Sequence, residues 1–400
     1  MSALLLGIIL VRAGTNVPTL AAAIARARPG DTIVVEPGLY RESGLVVNKP
    51  VLIRGRGNPV IEGAGDHTIL RVTANGVSIE GLVIRRVDPS NVEERAGIRL
   101  DSVRACSIRG NRLENAFFGI YGSAIADCRI SDNQVIGPGR AEQESGNAIH
   151  LWSSREVTVE GNRVEGYRDG IYLEFVRGSR LTGNVSQGNS RYGLHFMFSD
   201  SCRYERNAFV ANGAGVAVMY THQVTMIGNR FERNRGQAAF GLLLKDISDS
   251  RLEDNQFDAN TVALHMEGAN RVVVTGNRFT SNGWAVRVLA NSQDNRFEGN
   301  SFVGNAFDVA TNSRQSTSTF TGNYWDRYRG YDLDRDGFGD APFRPVRLFS
   351  LVVEQNEPSL VLLRSPFVDL LDAAERLLPI LTPETLVDKR PLLRAPGGAS

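Results

Sequence analysis

The chain has 400 residues, 41 of them glycine, and a net charge of +1 from 45 Lys+Arg against 44 Asp+Glu. The length allows one large solenoid or two ordinary domains, and the balanced charge excludes a global basic field for nucleic acid. No apolar run reaches the roughly 18 residues of an ordinary membrane helix, and the three cysteines, Cys106, Cys128 and Cys202, make no disulfide framework.

At the start, Ala3 to Val11 is apolar and Ala13-Gly14 follows, so residues 1–14 read as an export signal. A basic segment ahead of it is missing, and the alternative is an apolar first strand or cap. No cysteine follows, so a lipoprotein anchor is not indicated. Ala21 to Arg28 has the spacing of a short amphipathic helix, suited to covering the open end of a stack.

From Asn111 onward the sequence repeats. Asn111, Asn133, Asn162, Asn184, Asn207, Asn229, Asn255, Asn277, Asn300 and Asn323 recur at spacings of 22, 29, 22, 23, 22, 26, 22, 23 and 23, most after a glycine. In six coils a second Asn follows five residues later: Asn189, Asn212, Asn234, Asn260, Asn282 and Asn305. Asparagine tolerates a left-handed backbone, hydrogen-bonds its own turn and forms ladders when stacked. Between the markers apolar residues alternate, as in Val157-Thr158-Val159. Short strands and a coil of about 22 residues predict an all-β fold, a parallel β-helix over residues 15–345. Residues 346–400 form a C-terminal extension, with helical spacing from Phe367 to Leu381.

The repeat assigns faces. Ile149, Ile171, Leu194, Val216, Leu242, Leu264 and Val286 form one inward column. Leu151, Leu173, Phe196, Val218, Leu244, Met266 and Val288 form the next. By alternation His150, Tyr172, His195, Ala217, Leu243, His265 and Arg287 point outward. So do Trp152, Glu174, Met197, Met219, Lys245, Glu267 and Leu289. This face holds three of the five histidines, and thioether with imidazole is a soft donor set suited to Cu(I). The other reading is a packing surface covered by the C-terminal segment. Met226 and Met266 fall inward as core filler. Two long coils insert extra residues, near Gly137 to Gly146 and Arg235 to Ala239, just ahead of this face. The cysteines share one inward column and read as core thiols; Cys106 and Cys128 occupy adjacent coils, so the other reading is a disulfide or ligand pair.

Asp332, Asp334, Asp336 and Asp340, with Gly337, match the first half of a calcium loop, though Phe343 stands where its final acid belongs. A structural Ca²⁺ and a hydrogen-bonded Asp-rich turn fit equally.

These residues resemble the NosD family of periplasmic accessory proteins. The resemblance rests on Gly193-Leu194-His195-Phe196-Met197-Phe198, on Gly215 to Tyr220, on Gly241 to Asp246, on Gly322-Asn323-Tyr324-Trp325-Asp326 and on Asp336 to Asp340. It implies a protein at the outer face of the cytoplasmic membrane, bound to the membrane subunit of an ABC transporter and its ATPase. It implies Cu(I) taken from a copper chaperone in support of nitrous-oxide reductase assembly, and no enzymatic turnover. Carried onto this chain, His195, Met197 and Met219 become the ligand candidates, with Glu174, His150 and His265 as outer ones. The C-terminal segment, through Phe367, Leu370 and Leu371, becomes the contact with the membrane subunit. The rival readings are a polysaccharide lyase or epimerase on the same fold and a rod without chemistry. No convincing acid/base pair supports the lyase.

Overall fold

A computed structural model describes residues 7–90, 92–139, 142–236, 239–313, 316–363, 365–377 and 386–396. The chain is a right-handed parallel β-solenoid of about 13 turns. It divides into two compact units, Met1–Ala208 and Phe209–Ser400. In each, three parallel sheets are built by taking one short strand from every coil. The predicted inward columns hold. Ile149 pairs with Ile171, and Ile171 with Leu194, all 0–1% exposed. In the second unit Val216, Leu242, Leu264 and Val286 do the same. Met226 and Met266 are buried there, as expected.

The marker asparagines do not take the left-handed turn themselves. That conformation belongs to the residue before them, for example Gly110, Asp132, Gly161, Gly183, Asp254, Gly276 and Gly299. The asparagine then turns inward. In the first unit Asn133 Oδ1 accepts from Asn111 N at 3.0 Å and Asn111 Nδ2 at 3.1 Å. Asn162, Asn184 and Asn207 continue the series. Each Nδ2 also donates to a carbonyl, such as that of Ile108 for Asn133. Buried amide groups must be paired, and here each side chain pairs the preceding coil's backbone twice, accepting from its marker N–H and donating to one of its carbonyls.

In the second unit the series runs from Asn229 through Asn255, Asn277, Asn300 and Asn323. It ends on Asp388 of the C-terminal segment, which is fully buried. Its carboxylate accepts from Gly322 N, Asn323 N, Asn323 Nδ2, Trp325 Nε1 and Arg390 N, at 2.9–3.1 Å. A carboxylate suits the last rung because it only accepts, and nothing beyond it needs a donor.

The predicted N-terminal helix is Leu20–Arg26, with Thr19 as its N-cap. The Glu42 carboxylate accepts from Leu20 N and Ala21 N, and Lys49 Nζ donates to the carbonyls of Ile24, Ala25 and Ala27. Leu20, Ala23 and Ile24 are buried. Ile8–Val11 pairs in parallel with Thr32–Val35, as in the strand reading of this segment; residues 1–6 lie outside the described residues. Cys106 and Cys128 are joined in a disulfide, so the core-thiol reading holds for Cys202 alone. Burial pushes the Cys202 thiol up to about 12, which keeps it protonated.

In the second unit the C-terminal extension packs on its own solenoid. Helix Leu348–Gln355 sets Phe349 and Val353 against Phe307, with Val368 of helix Pro366–Leu377. Leu371 faces this cluster, whereas Phe367 and Leu370 are 44% and 66% exposed. The expected helix end at Leu381 lies outside the described residues.

Replacing Asp388 with Ala leaves several buried N–H groups without an acceptor, and we expect a loss of about 3 kcal/mol in denaturant unfolding. Asp388→Asn keeps one acceptor oxygen and should lose less.

Candidate metal site

The outward strands of the first unit that carry the candidate ligands are Asn147–Trp152, Asp169–Glu174 and Tyr192–Met197. Register sets His150 beside Tyr172 and Tyr172 beside His195, as predicted. This column is not open to solvent. Its rings pack in a continuous row: Tyr121 on His150 at 4.8 Å and His150 on Tyr172 at 4.6 Å, both tilted, and Tyr172 edge-to-face with His195 at 4.9 Å. His195 is only 7% exposed. Outward-pointing side chains thus build a second, aromatic layer on this face.

His195 sits over a charge pair that sequence reasoning missed. Asp169, fully buried, binds Arg191 through both oxygens at 3.0 and 2.7 Å. Burial pushes this carboxyl up, and the His195 and Arg191 side chains more than reverse it. Arg191 Nη2 lies 2.9 Å from His195 Nδ1, and Asp169 Oδ2 lies 3.6 Å from the same nitrogen. Arginine can only donate, so Nδ1 accepts and the neutral ring carries its proton on Nε2. Nε2 is buried without a hydrogen-bond partner among the described residues. In this arrangement neither ring nitrogen presents a lone pair to a metal. Only the other tautomer, with the proton on Nδ1 directed at Asp169, would leave the Nε2 lone pair free.

Met197 is half-buried at the strand end, opposite Glu174. The Tyr172 hydroxyl donates to Glu174 Oε2 at 3.2 Å and lies 4.0 Å from Met197 Sδ. Burial, then Glu174, pushes the Tyr172 phenol up to about 12, so it stays a neutral donor. Thioether, carboxylate and phenol therefore converge at one accessible point, and a soft cation fits the sulfur. His150 does not join them: its Nδ1 is 3.0 Å from Asn147 Nδ2, and its ring is sandwiched in the stack.

In the second unit Met219 is half-buried and opposite Lys245, which pairs with Glu267 at 3.1 Å. His265 is 7% exposed and stacks on Phe240 at 4.7 Å. Helix Leu348–Gln355 lies over this sheet, where Glu354 binds Arg287 at 2.8 Å. The packing-surface reading therefore describes His265 and Leu243, which is likewise 7% exposed.

In the acidic loop one oxygen each from Asp332, Asp334 and Asp336 lies within 4.8 Å of the others. These oxygens also hold the turn: Asp332 accepts from Asp336 N and Gly337 N, and Asp336 accepts from Phe338 N and Arg390. Asp340 stands apart from the three and accepts from Leu333 N.

Burial is the main force that lowers the His150 pKa from 6.5 to about 3. Below pH 6.5 the unfolded chain takes up a proton that the folded chain refuses, so stability should fall as pH drops from 6.5 toward about 3. His265, depressed by burial to about 4, adds to the same slope. His150→Phe keeps the ring stack and should flatten the fall, as read by denaturant titrations across that range.

Comparison with known proteins agrees with this architecture. Residues 132–330 match the sequence model of a family described as periplasmic copper-binding protein (NosD), and residues 61–174 match a right-handed β-helix region. A probable ABC transporter binding protein NosD from Pseudomonas aeruginosa is 29% identical, over 94% of each chain. One of the same description from Stutzerimonas stutzeri is 27% identical, over 88% of this chain and 84% of that one. Among solved structures, a family 28 exopolygalacturonase from Yersinia enterocolitica is 12% identical with a TM-score of 0.61, covering 78% of this chain and 77% of that one. The A-module of a mannuronan C-5 epimerase from Azotobacter vinelandii is 16% identical with a TM-score of 0.54, over 75% and 87%. At such identities these two likenesses show the fold alone. Among the described residues no helix is long and apolar enough to cross a membrane. The His/Met strands that carry the candidate ligands lie inside the segment that matches the NosD family.

Proposed function

We propose that the chain is a periplasmic copper carrier that works with an ABC transporter. It accepts Cu(I) from a chaperone and hands it on in support of nitrous-oxide reductase assembly, with no turnover of its own. The observation that carries this reading is the Met197 sulfur, half-accessible beside Tyr172 and Glu174 in the segment that matches the NosD family. A thioether holds Cu(I) without a proton to lose, and a sparse donor set suits cargo that must leave again. Met219 is the equivalent accessible thioether of the second unit. His195 joins as a donor through its second tautomer, with its Nδ1–H directed at the Asp169 carboxylate. The exposed Phe367 and Leu370 form the contact with the transporter's membrane subunit. The family's description and its relatives' names support copper binding and the transporter.

A second ion is a structural Ca²⁺ at Asp332, Asp334 and Asp336, supported by their converging oxygens. Added Ca²⁺ should then raise the melting temperature of the parent and not that of Asp334→Asn.

The copper reading is tested by anaerobic Cu(I) titration against a competing chelator. The parent should bind, and Met197→Leu should weaken binding at least about tenfold, the scale on which even outer partners of a metal site act. Met219→Leu should also weaken it. Undiminished binding by the double variant would rule these sulfurs out.

A further inference from the structure

Beside Met197 the first unit carries a feature that copper handling does not use. After strands Asp169–Glu174 and Tyr192–Met197 the backbone turns at Phe175 and Phe198, with φ of +54° and +48°. Register sets one above the other, and their rings stack at 5.2 Å and 11°. A left-handed backbone is unfavourable for a bulky side chain and suits Gly, Asn or Asp. The same corner holds Ser102, Ala124 and Ser153 earlier in the first unit and Tyr220, Asp246 and Gly268 in the second, so this left-handed turn recurs and a bulky ring takes it at Phe175, Phe198 and Tyr220. Phe175 and Phe198 are also 48% and 40% exposed. Each position thus joins an unfavourable backbone to apolar surface left in water. Such strain and such exposure persist where a contact with something else requires them.

The two rings line a cavity of about 340 Å³ with Ser153, Ser154, Arg155 and Arg177. Arg155 and Arg177 are backbone neighbours on adjacent coils, and neither has an ion-pair partner among the described residues. Trp152, at the end of its strand, is 42% exposed. The acids closest in sequence are Glu156 and Glu174. Aromatic rings, methionine and arginine together are the composition of a protein-binding hot spot. An acidic sugar is the other ligand that rings and guanidinium groups would suit. Sugars stack on open ring faces, however, and here each ring gives up one face to the other, which leaves less ring surface for a sugar and suits an apolar side chain set against the ring edges.

We propose that this aromatic–arginine edge docks a protein partner. Its segment brings carboxylates to Arg155 and Arg177 and an apolar side chain to Phe175 and Phe198. Because Met197 adjoins Phe198 in the chain, the seated partner closes over the thioether; only this last consequence rests on the copper reading.

The test uses the copper-free full chain and three probes: a blocked peptide alternating Glu with Leu and Phe, its Gln counterpart, and oligogalacturonate. The Glu peptide should bind, more weakly as salt rises. Its affinity should fall about tenfold in Arg155→Gln/Arg177→Gln and in Phe175→Asn/Phe198→Asn, as for loss of a hot spot. Because Asn accepts the left-handed turn, the Phe175→Asn/Phe198→Asn variant should melt no lower than the parent. A lower melting temperature would make the rings packing residues and overturn the proposal. So would equal binding of the Gln peptide, binding of oligogalacturonate alone, or no binding of any probe. None of these outcomes depends on copper, so the copper reading stands or falls separately.

Discussion

A parallel solenoid must turn several corners in every coil, and each corner buries backbone N–H groups that no strand partner reaches. The asparagine ladder meets that constraint. One side chain per coil accepts two hydrogen bonds from its neighbour and returns one to a carbonyl. An isolated buried amide would be a liability, whereas a continuous row is satisfied at every rung but the last. The last rung is therefore the weak point, and Asp388 occupies it with five donors around its carboxylate. The C-terminal extension, read from sequence as a surface for a membrane partner, is at this point part of the solenoid's own closure.

Much of this was legible in the sequence because strand alternation and a repeat near 22 residues fix neighbours in space. The inward columns and the pairing of His150 with Tyr172 and His195 came from spacing alone. The turn chemistry was misassigned by one residue: the left-handed conformation falls before the asparagine, which leaves the amide free to ladder. The disulfide was legible only as a neighbourhood: one coil separates Cys106 from Cys128 and several separate both from Cys202, but spacing does not say whether adjacent sulfurs are joined.

Exposure was the larger gap. Alternation says that a side chain leaves the core, not that it reaches water. His195 and His265 leave the core and are buried again, the first among aromatic rings and Arg191, the second on Phe240. Asp169 follows Asn147 in its column, a run of polar residues at the start of an otherwise apolar face. That anomaly was a readable signal for a buried polar group. Asp388 gave none, because it lies outside the repeat.

Among the described residues of this face, the first unit offers a soft ion an accessible thioether with a phenol and a carboxylate beside it. A thioether in that setting can hold a soft ion. The direct test is X-ray absorption at the copper edge of the Cu(I)-loaded chain. This account predicts sulfur scattering around copper in the parent, reduced in Met197→Leu. Copper surrounded by nitrogen and oxygen alone, or an unchanged sulfur signal in that variant, would contradict it.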